Sequence, residues 1–136
     1  MKVLVTGSAG YLGRVFLNHL SSRGYETVGL DINNSGAKDG AADRFYVCDI
    51  TDRLRIIEIF SSERPDAVVH FASTFHRVRD REKEYAIDIG GSRNLFEAAH
   101  LTSSVRKFIY SSSAAVYGAS RREKMWLDET DPVNPG

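Results

Sequence analysis

The chain has 136 residues, and its 18 lysines and arginines are balanced by 18 aspartates and glutamates. A formal charge of zero gives no electrostatic reason to expect nucleic acid or an anionic membrane as partner, and no apolar run approaches the length of a bilayer span. A single cysteine, Cys48, excludes an internal disulfide framework, while the length is enough for one α/β domain with a core of useful size.

The first residues lead straight into a strand rather than a leader, which gives a cytoplasmic expectation. Val3, Leu4 and Val5 form an apolar run without helical period that breaks into Thr6-Gly7-Ser8-Ala9-Gly10, a strand running into a tight turn. From residue 11 to 23, Leu12, Val15, Phe16 and Leu20 recur at helical spacing, and Gly24 stands where a C-terminal cap belongs. A glycine-rich turn lets the backbone approach a ligand, and the helix start offers free N–H groups to a diphosphate. Gly7, Gly10 and Gly13, spaced G-x-x-G-x-x-G, with Tyr11 and Leu12 between them, are the candidate anion cradle.

The second strand, residues 26–31, ends in Asp31, about two dozen residues after Gly7, where a dinucleotide fold places the acid that binds the adenosine ribose. An aspartate there repels a 2′-phosphate, so the coenzyme reading is NAD. Lys38 and Arg44 lie close enough in sequence to keep NADP open. Strands are further expected near residues 44–48, 67–72 and 106–111, with helices near 52–62 and 82–102 and a looser stretch over 32–43. In the last helix, Ile87, Leu95, Phe96 and Ala99 form the core-facing stripe.

Regular alternation of this kind gives a doubly wound, Rossmann-like parallel sheet of order 3-2-1-4-5, because each right-handed crossover returns the chain beside the previous strand. The order reverses between the first and fourth strands, and ligands bind at the carboxyl edge there. We therefore read residues 1–136 as one NAD-binding domain, with Phe71, Ala72, Ser73 and the serines from 111 to 113 brought to the crevice of the glycine turn.

TGSAGYLG resembles the TGxxGxxG turn of the extended short-chain dehydrogenases/reductases, the family of NAD-dependent sugar-nucleotide epimerases and dehydratases. Other segments follow in the family's order: Cys48-Asp49-Ile50 is similar to its acid-aliphatic pair at the adenine, and the segment from Val68 to Ser73 to its HxAx strand end. The segment YAIDIGGSRNLFEAA resembles its fourth helix, and IYSSSAAVYG its fifth strand and serine loop. The resemblance implies that Gly7, Gly10, Tyr11, Leu12, Gly13, Asp31, Asp49, Ile50, Phe71, Ala72, Ser73 and Ser111 line the coenzyme. Ser112 would join Ser111 beside the nicotinamide through its backbone.

The implied chemistry moves a hydride from a substrate carbon to nicotinamide while a tyrosine takes the hydroxyl proton, a lysine lowers that tyrosine's pKa, and a serine holds the same oxygen. The resemblance assigns the serine to Ser113. None of the six tyrosines has a lysine four residues later; Tyr117 with Arg121 comes nearest, but the guanidinium fork is a poor substitute for an ammonium. The resemblance puts the tyrosine and lysine past Gly136, so the residues given are expected to stop before the sixth strand and the substrate portion, leaving the fifth strand at an edge. The implied partner is a nucleotide sugar, with a homodimer helix bundle on the outer face of the fourth helix, and no nucleic acid or membrane.

Three functions stay open: the coenzyme half of an epimerase or dehydratase, a stand-alone NAD-binding or regulatory module, and a carbonyl reductase sharing the coenzyme site. Asp88 stands where the family carries an asparagine, so a donor role at that place is lost unless the carboxyl is protonated. His70 reads as a packed, hydrogen-bonded strand residue and Cys48 as a small buried one, and no histidines or cysteine are spaced as metal ligands. His19 and His100 fall on helices. The run over residues 76–84 reads as a solvated, mixed-charge surface, and Met125 and Trp126 either pack over the sheet end or shape the substrate side.

Overall fold

A computed structural model describes residues 1–35, 42–74, 80–118 and 126–134. Five parallel strands, β1 (Lys2–Thr6), β2 (Glu26–Asp31), β3 (Arg44–Val47), β4 (Ala67–His70) and β5 (Lys107–Tyr110), form one sheet in the order β3-β2-β1-β4-β5. The reversal expected from the sequence falls between β1 and β4. Among the described residues β5 pairs on one side, with β4.

Successive side chains of a strand point to opposite faces, and β1 shows the consequence. Val3 and Val5 join Leu17 and Leu20 of α1 (Tyr11–Ser22) in one cluster, together with Val69 of β4. Leu4 turns the other way, into a larger cluster with Val28, Leu30 and Val68 that is capped by α2 (Arg53–Glu63) and α4 (Ser92–Leu101) through Ile56, Ile59, Phe60, Leu95 and Ala98. Both faces of the sheet are therefore covered at its centre, β2-β1-β4, while Ile109 and Tyr110 of β5 stay about half exposed.

The helix boundaries have local causes. Gly24, at φ +75°, donates its N–H to the Ser21 carbonyl and closes α1. Asp52 caps α2 by accepting from the Arg55 amide, and Asp80 caps α3 (Arg81–Tyr85) by accepting from the amides of Glu82 and Lys83.

Three expectations need correction. Leu12 and Val15 are exposed, and it is Leu17 with Leu20 that anchors α1; Phe16 is half-buried against Phe71, edge to face at 5.6 Å. The helix expected over 82–102 is interrupted, because α3 passes into a π-helical turn, Ala86–Gly91, before α4 begins. Phe96 leaves the core stripe: half exposed, it lies over β5 against Phe108, ring centroids 4.5 Å apart. In the π turn the Ser92 hydroxyl donates to the Asp88 carbonyl, and a side chain on Gly91 would meet Ile50 Cγ1 at 2.4 Å. The widened turn thus presses bare backbone onto the segment after β3.

Arg44 lies nowhere near the end of β2. It opens β3 at the amino edge of the sheet, paired with Glu26 and, at 2.9 Å, with Glu63. Lys2 Nζ lies 3.4 Å from Glu26 and 3.2 Å from Glu63, and the Tyr46 hydroxyl donates to Glu63 as well. Burial opposes ionisation of Glu63, but hydrogen bonds from Tyr46 and Lys2 and the charge of Arg44 outweigh it and hold the carboxyl below its usual range.

Candidate functional site

The turn after β1 is built by close backbone approach. At Gly7, φ +67°, an added Cβ would lie 2.7 Å from the Ala72 nitrogen and 2.8 Å from the Phe71 carbonyl carbon. At Gly13 it would lie 2.2 Å from the Gly7 oxygen. Only glycine lets β1, the segment after β4 and the first turn of α1 meet this tightly.

Helix α1 starts at Gly10 with no side-chain cap and no acid in its first turn. The amides of Tyr11, Leu12 and Gly13 have no helical carbonyl to reach, and no carboxylate stands ready to compete for them. Tyr11 and Leu12 are exposed beside them.

Asp31 closes the second wall. Its Oδ2 accepts from the Ala9 amide and its Oδ1 from the Asn33 amide, both at 2.9 Å. Two backbone donors fix the plane of the carboxylate while leaving each oxygen further acceptor capacity for ribose hydroxyls. Arg14, which the helical pattern treats as a surface residue, donates from Nε to the Ala9 carbonyl at 2.9 Å and from Nη2 to Ser35 Oγ at 3.4 Å. Lys38 lies outside the described residues.

Across the reversal, the Phe71 amide donates to the Thr6 carbonyl and the Ala72 amide to Thr6 Oγ1, while the Ser111 amide donates to the His70 carbonyl. These bonds bring Phe71 and Ala72 beside the glycine turn and set Ser111 at the carboxyl end of β5, on the far side of β4, while Ser73 is exposed. Asp49 and Ile50 follow β3. Asp49 Oδ1 accepts from the Thr51 amide, and the Ile50 side chain is buried against Gly91, with its carbonyl held by the Asn94 amide group at 3.0 Å.

His70, 1% exposed, ties the crevice together. Its Nδ1 lies 2.6 Å from Thr6 Oγ1 and its Nε2 lies 2.9 Å from Ser92 Oγ. Ser92 already spends its proton on the Asp88 carbonyl, so its oxygen accepts from His70 Nε2–H, and Nδ1 in turn accepts the Thr6 hydroxyl proton. This directed chain needs a neutral imidazole. Burial supplies it, pushing the His70 pKa down to about 4 against a smaller opposing pull from Asp88.

The Asp88 carboxylate accepts from both the amide and the hydroxyl of Thr74, at 2.8 and 2.6 Å. No donation from Asp88 is used in this contact, so the replacement of amide by carboxylate is accommodated here by an acceptor-only partner. The Ser113 hydroxyl accepts from the Ala115 amide at 3.2 Å and caps the 3₁₀ turn Ala114–Tyr117, with its own proton still available to donate. Cys48 is buried just after β3, and burial pushes its thiol up to about 11. Trp126 is exposed, and Met125, Arg121 and residues 75–79 lie outside the described residues. Among the described residues no three His, Cys, Asp or Glu side chains gather as a metal site, and no helix is long and apolar enough to cross a membrane.

A parallel sheet with this strand order, a glycine turn opening a helix at its reversal and an acid ending β2 defines the dinucleotide-binding class of α/β folds. Within that class, the chain belongs to the NAD dependent epimerase/dehydratase family, whose sequence model matches residues 3–136. It is 34% identical over 140 residues to a UDP-glucose 4-epimerase of Lactobacillus helveticus, covering 99% of this chain and 42% of that protein. Its fold is similar to the crystal structure of UDP-glucose 4-epimerase from Brucella ovis in complex with NAD, with a TM-score of 0.85 and 34% identity over 98% of this chain and 42% of that one. The epimerase from Thermotoga maritima with UDP-glucose gives a TM-score of 0.85 at 31% identity, covering 99% of this chain and 45% of that one. The chain spans about two fifths of the length of the curated relatives it matches.

Proposed function

We propose that this chain is the NAD-binding part of an NAD-dependent sugar-nucleotide epimerase or dehydratase. The observation that carries the reading is the junction of the glycine turn with Asp31, where the Ala9 amide holds the carboxylate beside an uncapped, acid-free helix start. An acid in that first turn, or a side chain on Gly7 or Gly13, would spoil the fit to a diphosphate; none is there.

In this reading the amides at the start of α1, with Gly10, Tyr11, Leu12 and Gly13, receive the diphosphate, and Asp31 accepts from the adenosine ribose hydroxyls. Asp49 and Ile50 border the adenine. Phe71, Ala72, Ser73 and Ser111 line the crevice on the side of the reversal, and Ser113 donates its hydroxyl proton to the substrate oxygen. The nicotinamide, when bound, supplies a place for a hydride to be held and returned. The substrate class follows from the relatives, which are UDP-glucose 4-epimerases, and a homodimer through the outer face of α4 and a cytoplasmic location belong to the same reading.

A second reading, an NAD-binding module without turnover of its own, uses the same glycine turn and Asp31. Calorimetric titration with NAD, followed by an assay for UDP-glucose to UDP-galactose conversion, tests both. Saturable NAD binding without conversion is the expected result for these residues alone. Conversion would sink the inference that they lack the proton-transferring base, and absence of binding would sink the coenzyme reading.

A further inference from the structure

Arg14 sits in a closed ring of hydrogen bonds around the acid that ends β2. Its guanidinium joins the Ala9 carbonyl to Ser35 Oγ; the Ser35 amide donates to Asn33 Oδ1 at 3.1 Å, the Asn33 amide to Asp31 Oδ1, and the Ala9 amide to Asp31 Oδ2. One fixed positive charge and one fixed negative charge therefore share the rim where the adenosine ribose is read. A lone carboxylate in that place selects a ribose with both hydroxyls free and repels a 2′-phosphate, whereas a neighbouring arginine accommodates it. The planar fork of a guanidinium matches phosphate oxygens. Of the two basic residues offered by sequence proximity, Arg44 is at the opposite end of the sheet.

We propose that Arg14 is a specificity-determining residue that relaxes coenzyme choice at this ribose, so that the site takes the 2′-phosphorylated dinucleotide NADP as well as NAD. The proposal rests on the reading of the crevice as a dinucleotide site. It assigns Arg14 two tasks at once: bracing the diphosphate turn through Ala9, and offsetting the charge of Asp31.

Calorimetric titration of the full 136-residue chain with NAD and with NADP in one buffer tests it. NADP should bind within about tenfold of NAD, a gap of about 1.4 kcal/mol. Arg14→Met should widen the NADP-to-NAD ratio of dissociation constants by about tenfold, and Arg14→Lys, which keeps the charge but loses the fork, by less. A residue that only braces the turn weakens both dinucleotides alike, so an unchanged ratio in Arg14→Met overturns the proposal. Should that variant fail to fold by circular dichroism, Asp31→Asn decides. With the repulsion removed and Arg14 in place, NADP should become the tighter ligand, and a preference still for NAD overturns the proposal. Binding of NAD without NADP by the unmodified chain overturns this inference alone; binding of neither overturns the dinucleotide reading with it.

Discussion

At the amino ends of the strands, Lys2, Glu26 and Arg44 open β1, β2 and β3 and meet Glu63 and Tyr46 in a network where each charge has a counter-charge. At the carboxyl ends the chain does the opposite: it brings backbone to backbone through Gly7 and Gly13 and starts α1 without a side-chain cap. The first end is completed by its own side chains. The second keeps main-chain donors in reserve and closes by steric fit, which contributes little to stability but leaves a place for an anion. In the proposed reading, holding the fold and holding a ligand fall to opposite edges of one small sheet.

The sharpest way to break this division is Gly13→Ala. The added methyl would overlap the Gly7 oxygen and, at 2.6 Å, the Ser8 Cα, and both are backbone, so the turn must move. Displacement of that order should lower NAD affinity by about a hundredfold in a calorimetric titration. If affinity is retained, the turn is not the cradle.

Glu63→Ala attacks the other edge. It takes away the acceptor of Tyr46 and one of the two carboxylates that Lys2 and Arg44 share with Glu26, and should lower unfolding free energy in urea by about 2 kcal/mol. NAD affinity, read on folded protein, should change less than about twofold, since distant sites act independently. A large loss of affinity would show that the two edges are coupled after all.

His70 gives a pH test of the crevice side. In the unfolded chain its imidazole gains a proton near pH 6.5, in the fold only near about 4. The unfolded state therefore binds more protons across that window, and stability falls as pH drops through it, by up to about 1.4 kcal/mol per pH unit. Urea unfolding at pH 7, 6 and 5 should show this slope, and His70→Asn should flatten it. An equal slope in both proteins would place the responsible group elsewhere.

Much of the fold was legible because the strands read as apolar runs ended by turn residues and because a five-element α/β alternation admits few topologies. The site's main-chain parts were legible for the same reason: glycines and a strand-terminal acid leave a trace in sequence. What escaped were features set by tertiary geometry. Arg14 looks like any polar residue on an amphipathic helix until the end of β2 is laid beside it, although the Asp-x-Asn run at residue 31 signals the asx turn that helps form its ring. Arg44 misled because proximity in sequence along β3 says nothing about which end of a parallel strand a residue occupies. The π turn escaped because Ser92 and Asp88 read as ordinary helical residues; only the press of Gly91 on Ile50 shows why the helix widens there.

Ser8 offers the smallest effect and the finest test of the comparison. Its hydroxyl is fully buried in the glycine turn, facing Gly29 of β2, with no hydrogen-bond partner among the described residues. Its backbone is used, since the amide donates to the Leu30 carbonyl at 3.3 Å. A buried hydroxyl without a partner costs more than a methyl group in the same space, so Ser8→Ala should raise unfolding free energy by about 1 kcal/mol in urea. Gly29 bears on the same point, because a Cβ there would come within 3.0 Å of the Ser8 oxygen and 2.8 Å of Phe45. If the crevice edge is shaped by its backbone, NAD affinity should stay where it was while stability rises. A fall in affinity with the gain in stability would show instead that the Ser8 hydroxyl helps to shape the turn, and that side chains as well as main chain build this edge.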